Sequence, residues 1–339
     1  MKSLIVLALL AAAPQPVAVA PPSPVDSGKA VAESPAAAVA GDSLAAPRDS
    51  MTLRRIGAAD LARLPENQGR VLEPAGVAAD AFGRILVSDA AGHRLQRYQR
   101  SLTWIGEMGG LGSDPGQLRR PGSVAVLGTL GIAVLDRENR RVVTYDHFGR
   151  RIGVAIELAE PALELQIGRV DPSLLAADRG GAIAIVDPER ERLLTFDFSG
   201  RFQRAIGGYG PRPGQLRGTA GLAFAPKGDL VVAERGGARV QRIDADGRAV
   251  ASWPLPVKRG SGLLPVAVDD AGRVAVADQD SGRLWVFGAD GRPLASVSGL
   301  ARPSALAFDS DGSLLAVEAA PPARLLRFRL ETAAAPRAE

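Results

Sequence analysis

Between residues 51 and 330, apolar residues fall in runs of four to six, set apart by Gly, Asp and Pro, and no run is long enough to sustain a helix. The stretch 221–248 shows the unit. Gly221-Leu-Ala-Phe224, Leu230-Val-Val-Ala-Glu234 and Arg239-Val-Gln-Arg-Ile243 are separated by turn residues, which predicts strand, turn, strand, turn, strand. A fourth strand is expected after the turn that closes each unit, marked by Gly-Arg in all but the first, at 102–105, 151–154, 202–206, 249–253 and 294–297.

The unit recurs. An acidic residue ends the second run and an arginine opens the third in six places: Asp89/Arg94, Asp136/Arg141, Asp187/Arg192, Glu234/Arg239, Asp278/Arg283 and Glu318/Arg324. Successive acids from Asp89 to Glu318 lie 47, 51, 47, 44 and 40 residues apart, the period of a four-stranded blade. The expected fold is all-β, a six-bladed β-propeller occupying 51–330. The sixth unit ends before a convincing fourth strand, whereas 52–57 (Thr-Leu-Arg-Arg-Ile-Gly) resembles the other fourth strands. That N-terminal strand is therefore expected to complete the last blade, closing the ring and leaving only short edges.

Turn chemistry orients the blades. Asp followed three residues later by Gly marks the first hairpin at Asp80/Gly83, Asp178/Gly181, Asp269/Gly272 and Asp309/Gly312, and Gly149, Gly200, Gly247 and Gly291 mark the last. By alternation those hairpins share one face of the disc, and the acid-to-Arg loops and interblade crossings share the other. Two crossings are nearly identical: Gly109-Gly-Leu-Gly-Ser-Asp-Pro-Gly-Gln-Leu118 and Gly207-Gly-Tyr-Gly-Pro-Arg-Pro-Gly-Gln-Leu216. With the acid and arginine of each blade, these segments resemble the NHL-repeat propellers, of the exported bacterial kind. The resemblance covers about 51–330. It implies a six-bladed fold and, in most members, a binding role, with a minority of related propellers being metal-dependent enzymes.

The N-terminus has a different character. Lys2 precedes an apolar run from Leu4 to Ala13 and a small-residue Ala18-Val19-Ala20 site, the pattern of a signal peptide at 1–20. Ten apolar residues rise only about 15 Å as a helix, half a hydrocarbon core, so no transmembrane segment is expected in the mature chain. Residues 21–50 are rich in Pro, Ala and Ser and read as a disordered linker, and 331–339 as a disordered tail. A periplasmic or secreted monomer is expected. It contains no cysteine and hence no disulfide.

The net charge is only +4, yet the 41 basic residues comprise 37 Arg and 4 Lys, which suits bidentate recognition of carboxylates. The crossings hold Arg70, Arg119, Arg120, Arg169, Arg217, Arg259 and Arg302, together with Arg63, Arg212 and Lys258. Gathered on one face, these cations would focus a positive potential for a protein, peptide or acidic envelope polymer. The competing expectation is that they pair with Glu66, Glu73, Asp114 and Glu164 in the same crossings. Nucleic acid is not expected, because aromatic side chains are not interleaved with the basic ones.

Catalysis is the alternative, as a divalent-metal lactonase- or lyase-like propeller. The chain has two histidines, His93 and His147, placed on opposite faces, and two asparagines, Asn67 and Asn139. The Asp244-Ala-Asp246-Gly and Asp309-Ser-Asp311-Gly segments lack the further ligands of a calcium loop and read as hairpin turns. No cofactor, metal ligand or catalytic residue is expected. A feature present in every blade belongs to the fold, so the six acids are expected to hold loops.

Overall fold

The computed structural model describes residues 51–62, 69–128 and 131–332; the expected signal peptide and linker, Arg63, Glu66, Asn67 and the tail from 333 lie outside them. The described chain forms six four-stranded antiparallel sheets. After β1 (Met51–Asp60), blade 1 takes β2 (Pro74–Ala79), β3 (Ile85–Asp89), β4 (Arg94–Tyr98) and β5 (Trp104–Gly109). Blade 2 is β6 (Pro121–Leu127), β7 (Gly131–Asp136), β8 (Arg141–Asp146) and β9 (Arg151–Glu157). Blade 3 is β10 (Leu175–Ala177), β11 (Ile183–Asp187), β12 (Arg192–Phe196) and β13 (Phe202–Gly207). Blade 4 is β14 (Thr219–Phe224), β15 (Leu230–Glu234), β16 (Arg239–Ile243) and β17 (Ala249–Pro254). Blade 5 is β18 (Val266–Val268), β19 (Val274–Asp278), β20 (Arg283–Phe287) and β21 (Pro293–Val297). Blade 6 combines β22 (Pro303–Phe308), β23 (Leu314–Glu318) and β24 (Arg324–Thr332) with β1.

The chain is a six-bladed β-propeller, closed as its repeat predicts. Strand β1 lies antiparallel to β24, with Met51 opposite Thr332 and Asp60 opposite Arg324. The pairing extends β24 two residues beyond the expected limit at 330, because Arg54 grips Glu331 at 2.6 Å. The fourth strand of blade 1 begins at Trp104, not at 102: Leu102 adopts φ +69° in the turn, and its N–H donates to Gln99 O.

The core consists of six apolar clusters, one at each blade interface. The second strands are buried along their whole length, but for Gly131 at the start of β7, because each face of a sheet packs on a neighbouring blade. In β3, Ile85 and Val87 join blade 6 while Leu86 joins blade 2. Trp253 and Trp285 pack between blades 4 and 5, and Trp104 against the cluster between blades 6 and 1.

One element was not expected. The crossing from blade 2 to blade 3 contains a helix, α1 (Pro161–Ile167), whose start is favoured by a proline in its first turn. Leu163 and Ile167, four residues apart on one face, pack into the cluster between those blades, so this short helix covers its edge.

Candidate functional site

Each innermost strand contributes to a central channel containing a cavity of about 270 Å³, lined by residues such as Ala78, Val124, Ala176, Leu222, Val268 and Leu306. Its side-chain hydroxyls are Ser123 and Ser304. Ser123 Oγ accepts the Leu175 N–H at 3.1 Å, and Ser304 Oγ donates to Val317 O at 3.5 Å. Neither carboxylate nor imidazole lines the cavity, so it offers apolar contact and no acid–base or metal-ligating groups.

The six acids end their second strands fully buried or nearly so, and four of them tie down a crossing. Asp89, Asp136, Glu234 and Glu318 accept backbone N–H groups from Leu72 and Glu73, Arg119, Arg217 and Ala301 at 2.6–3.1 Å. The following arginines reach the same loops: Arg141 donates to Ser113 O and Gln117 O, and Arg239 to Pro211 O and Gln215 O. Ion pairs at 2.6–2.8 Å join four of the six expected couples, and Asp89–Arg94 is looser at 3.6 Å. The exception is Asp278–Arg283. Arg283 is exposed, and Asp278 is bound at 2.7 Å by Arg235 from blade 4.

The two Pro-Gly-Gln-Leu segments form the same device. Leu118 and Leu216 are wholly buried, while Gln117 and Gln215 fold back so that their side-chain oxygens accept the N–H of Asp114 and Arg212. A Cβ on Gly112 would stand 1.8 Å from the Gln117 oxygen, and one on Gly210 2.1 Å from that of Gln215, so glycine is required for the glutamine to lie there.

These loops arrange the predicted arginines, at least one in each of the six crossings and all on one face of the disc. Arg119 and Arg217 use their backbone N–H for the acids; Arg119 is exposed and Arg217 half-buried. Arg70, Arg259 and Arg302 are exposed, and none of these five makes an ion pair with a described carboxylate. Arg120 and Arg169 do have partners. Arg120 bonds Glu73 at 2.6 Å and lies 3.7 Å from Glu138; Arg169 comes within 3.8 Å of Asp171. Of the acids expected to neutralise the crossings, Glu73 takes Arg120 and Glu164 takes Arg140, so the positive face is only partly neutralised from within.

The same face has a cleft of about 460 Å³ where the crossings into blades 2 and 3 meet the second-to-third strand loop of blade 2. Arg120, Arg137, Arg140 and Arg169 line it with Glu138 and Asp171. Arg137 and Arg140 were missed as site residues. The available signal was composition: Asp136-Arg-Glu-Asn-Arg-Arg141 brings three arginines into one acid-to-Arg loop.

The histidines lie on opposite faces. His93, at φ +56°, accepts the Arg120 N–H on Nδ1 and so supports the crossing. His147 stacks on Phe148 with ring centres 3.9 Å apart. Both Asp-x-Asp-Gly segments are hairpin turns, Asp244 accepting from Asp246 and Arg248, and Asp309 receiving Arg100 and Arg327. Among the described residues, no three His, Asp or Glu gather in a way that could hold a metal ion.

No family model matches the chain. Protein brain tumor of Drosophila melanogaster is 29% identical over 145 residues, covering 41% of this chain but only 13% of the fly protein. Among solved structures, a gluconolactonase from Xanthomonas campestris superposes with a TM-score of 0.58 at 19% identity, covering 84% of this chain and 98% of that one. A streptogramin B lyase gives 0.55 at 12% identity over 83% and 98% of the two chains. Regucalcin from Agrobacterium tumefaciens, a calcium-binding protein, gives 0.55 at 14% over 77% and 91%. At such identities the likeness is one of fold.

Proposed function

We propose that this chain is an exported, non-enzymatic binding propeller of the NHL kind that takes an acidic protein or peptide across its crossing face. The observation that carries the reading is the distribution of charge: every crossing presents at least one arginine on the same side of the disc, and five of the seven predicted have no described carboxylate partner. Guanidinium groups held on braced loops suit bidentate contact with carboxylates. A lactonase- or lyase-like reading would need ligands converging on the channel, and the channel is walled mainly by apolar side chains, with neither carboxylate nor imidazole among them.

The test uses the natural product from an envelope fraction as bait, its N-terminus expected near Pro21 as export requires. Arg119, Arg217 and Arg259 are replaced by Ser. Arg302 is replaced by Asn, because its φ of +54° favours a residue at ease in the left-handed region. The quadruple variant is expected to keep its melting temperature, since surface changes cost within about 0.5 kcal/mol each, and to lose capture of partners that moderate salt elutes from the unaltered bait. Undiminished capture by the folded variant would place the site elsewhere, early melting would make these arginines supports of the crossings, and an N-terminus at Met1 would refute export.

A further inference from the structure

Blades 2 and 4 both carry an arginine immediately after the acid of the second strand, Arg137 and Arg235, and the two have opposite fates. Arg235 runs under the next crossing, donating to Gly262 O at 2.7 Å, Leu263 O at 3.1 Å and Asp278 Oδ1 at 2.7 Å, with 5% of its side chain exposed. The equivalent seat between blades 2 and 3 follows from matching bonds. Val186 N–H donates to Leu174 O as Ala277 N–H donates to Pro265 O, so Asp171 and Pro172 correspond to Gly262 and Leu263, and Asp187 to Asp278. There the seat is the open cleft, and Asp187 Oδ1 is buried with no hydrogen-bond donor among the described residues.

Charge explains the difference. Asp278 receives no arginine from its own blade and takes Arg235, whereas Asp187 already has Arg192 at 2.8 Å and Arg190 at 3.2 Å. A third guanidinium would gain little, and Arg137 stays exposed with its stem against Gly122. Of the four arginines in the cleft, Arg120 and Arg140 are held by Glu73 and Glu164. The Arg137 guanidinium makes no hydrogen bond or ion pair with a described residue, its backbone carbonyl alone accepting the Arg140 N–H, and the Arg169 guanidinium stays 3.8 Å from Asp171. Two guanidiniums therefore line one cleft with hydrogen-bonding capacity unused.

We propose that Arg137 and Arg169 form a carboxylate subsite that receives Asp or Glu side chains of an acidic peptide segment containing aliphatic residues; this rests on the crossing face being the binding face. The peptide chemistry follows from the surroundings. The crossings that supply Arg120 and Arg169 also present Leu111 and Leu165, 61% and 90% exposed. The exposed Phe82, Phe148 and Phe198 lie in hairpin turns of the opposite face and the exposed Tyr209 in the crossing into blade 4, so the crossings into blades 2 and 3 that form the cleft lack the stacking platform that single-stranded RNA uses.

The experiment titrates the mature chain into a fluorescein-labelled Glu-Leu-Glu-Glu-Leu-Gly peptide and its Gln-for-Glu counterpart, reading anisotropy. The Glu peptide is expected to bind about tenfold more tightly, and Arg137→Ser and Arg169→Ser each to weaken it about fivefold or more toward the Gln level, since each removes a charge-assisted contact. Arg137→Lys, which keeps the charge and the stem, is expected to recover part of the loss. Each variant's melting temperature is measured alongside, and a loss confined to misfolded variants with Arg137→Lys at the Gln level counts against the subsite. Arg259→Ser with Arg302→Asn, on the same face at blades 5 and 6, separates the two claims. If that pair weakens binding while Arg137→Ser and Arg169→Ser leave it unchanged, the face stands and the subsite is wrong. If the two peptides bind alike or neither binds, both fail. A single-stranded RNA that binds more tightly than the peptide and is lost in the same variants overturns the peptide assignment.

Discussion

Asp278 shows how little of an ion pair is contained in residue spacing. Its expected partner, Arg283, faces solvent, while Arg235 arrives from the adjacent blade and leaves the pair almost fully buried. Burial alone would raise the Asp278 carboxyl, but hydrogen bonds from Ser281, Arg235 and the Asp280 N–H outweigh it and hold the group below its ordinary value. A carboxyl lowered by folding stabilises fully above its unfolded value, near about 3.9, and that stabilisation is lost as pH falls through the folded value. Arg235→Met is expected to cost about 3 kcal/mol at pH 7 by leaving a buried carboxylate without its cation. Arg283→Gln should cost less than about 0.5 kcal/mol. Urea midpoints at pH 7 and pH 3 check both, the Arg235→Met penalty shrinking in acid; equal penalties for the two variants would return Asp278 to Arg283. The acids themselves were legible because each blade needs one. Which arginine answers was not, since Arg235 and Arg137 occupy equivalent positions and only the neighbouring acid's supply of cations decides between burial and exposure.

At the scale of the element, the short apolar runs and the Asp-Gly turns located nearly every strand, because a strand buried on both faces leaves an unbroken apolar run between turn residues. Helix α1 escaped, since its seven residues, about two turns, place only two periodic apolar positions, Leu163 and Ile167, against the core and look like part of a loop. The crossing arginines could be assigned to one face by alternation, but the cleft could not, because it depends on side chains from three separate loops. Strand β1 is the element with the clearest consequence. It contributes a full ladder to β24, while Leu61 just beyond it is buried between blades 6 and 1. A chain beginning at Met51 is expected to melt with the mature protein. One beginning at Leu61 should expose the edge of β24, aggregate more readily and melt lower by about 10 °C, a few kcal/mol at 2–4 °C each. Equal melting of the two truncations would mean that β1 does not carry the closure.

For the whole molecule, the closing device matters more than any one blade. Five blades are continuous in sequence, and their interfaces are held by side-chain packing; blade 6 alone is built from both ends of the ring, so opening the ring requires breaking the β1–β24 ladder as well as a core cluster. The opposite face adds a second clasp, where Arg100 of blade 1 bonds Asp309 of blade 6 at 2.8 Å. A circular permutant separates these contributions. Thr332 and Met51 are paired partners, so a two-residue Asn-Gly turn can join β24 to β1 as a hairpin. New termini at Gly299, between β21 and β22, then make all six blades continuous and leave the interface of blades 5 and 6 to side-chain packing alone. The permutant is expected to fold, because every contact of the six sheets survives, but to unfold faster in urea, because no backbone ladder now spans the seam. Trp104 packs at the seam of blades 6 and 1, so it is replaced by Phe in both orders; stopped-flow unfolding followed through Trp253 and Trp285, between blades 4 and 5, then reports loss of the ring without a probe at either seam. An unfolding rate equal to that of the natural order would show that interblade packing closes the ring unaided and that β1 serves only to cover the edge of β24.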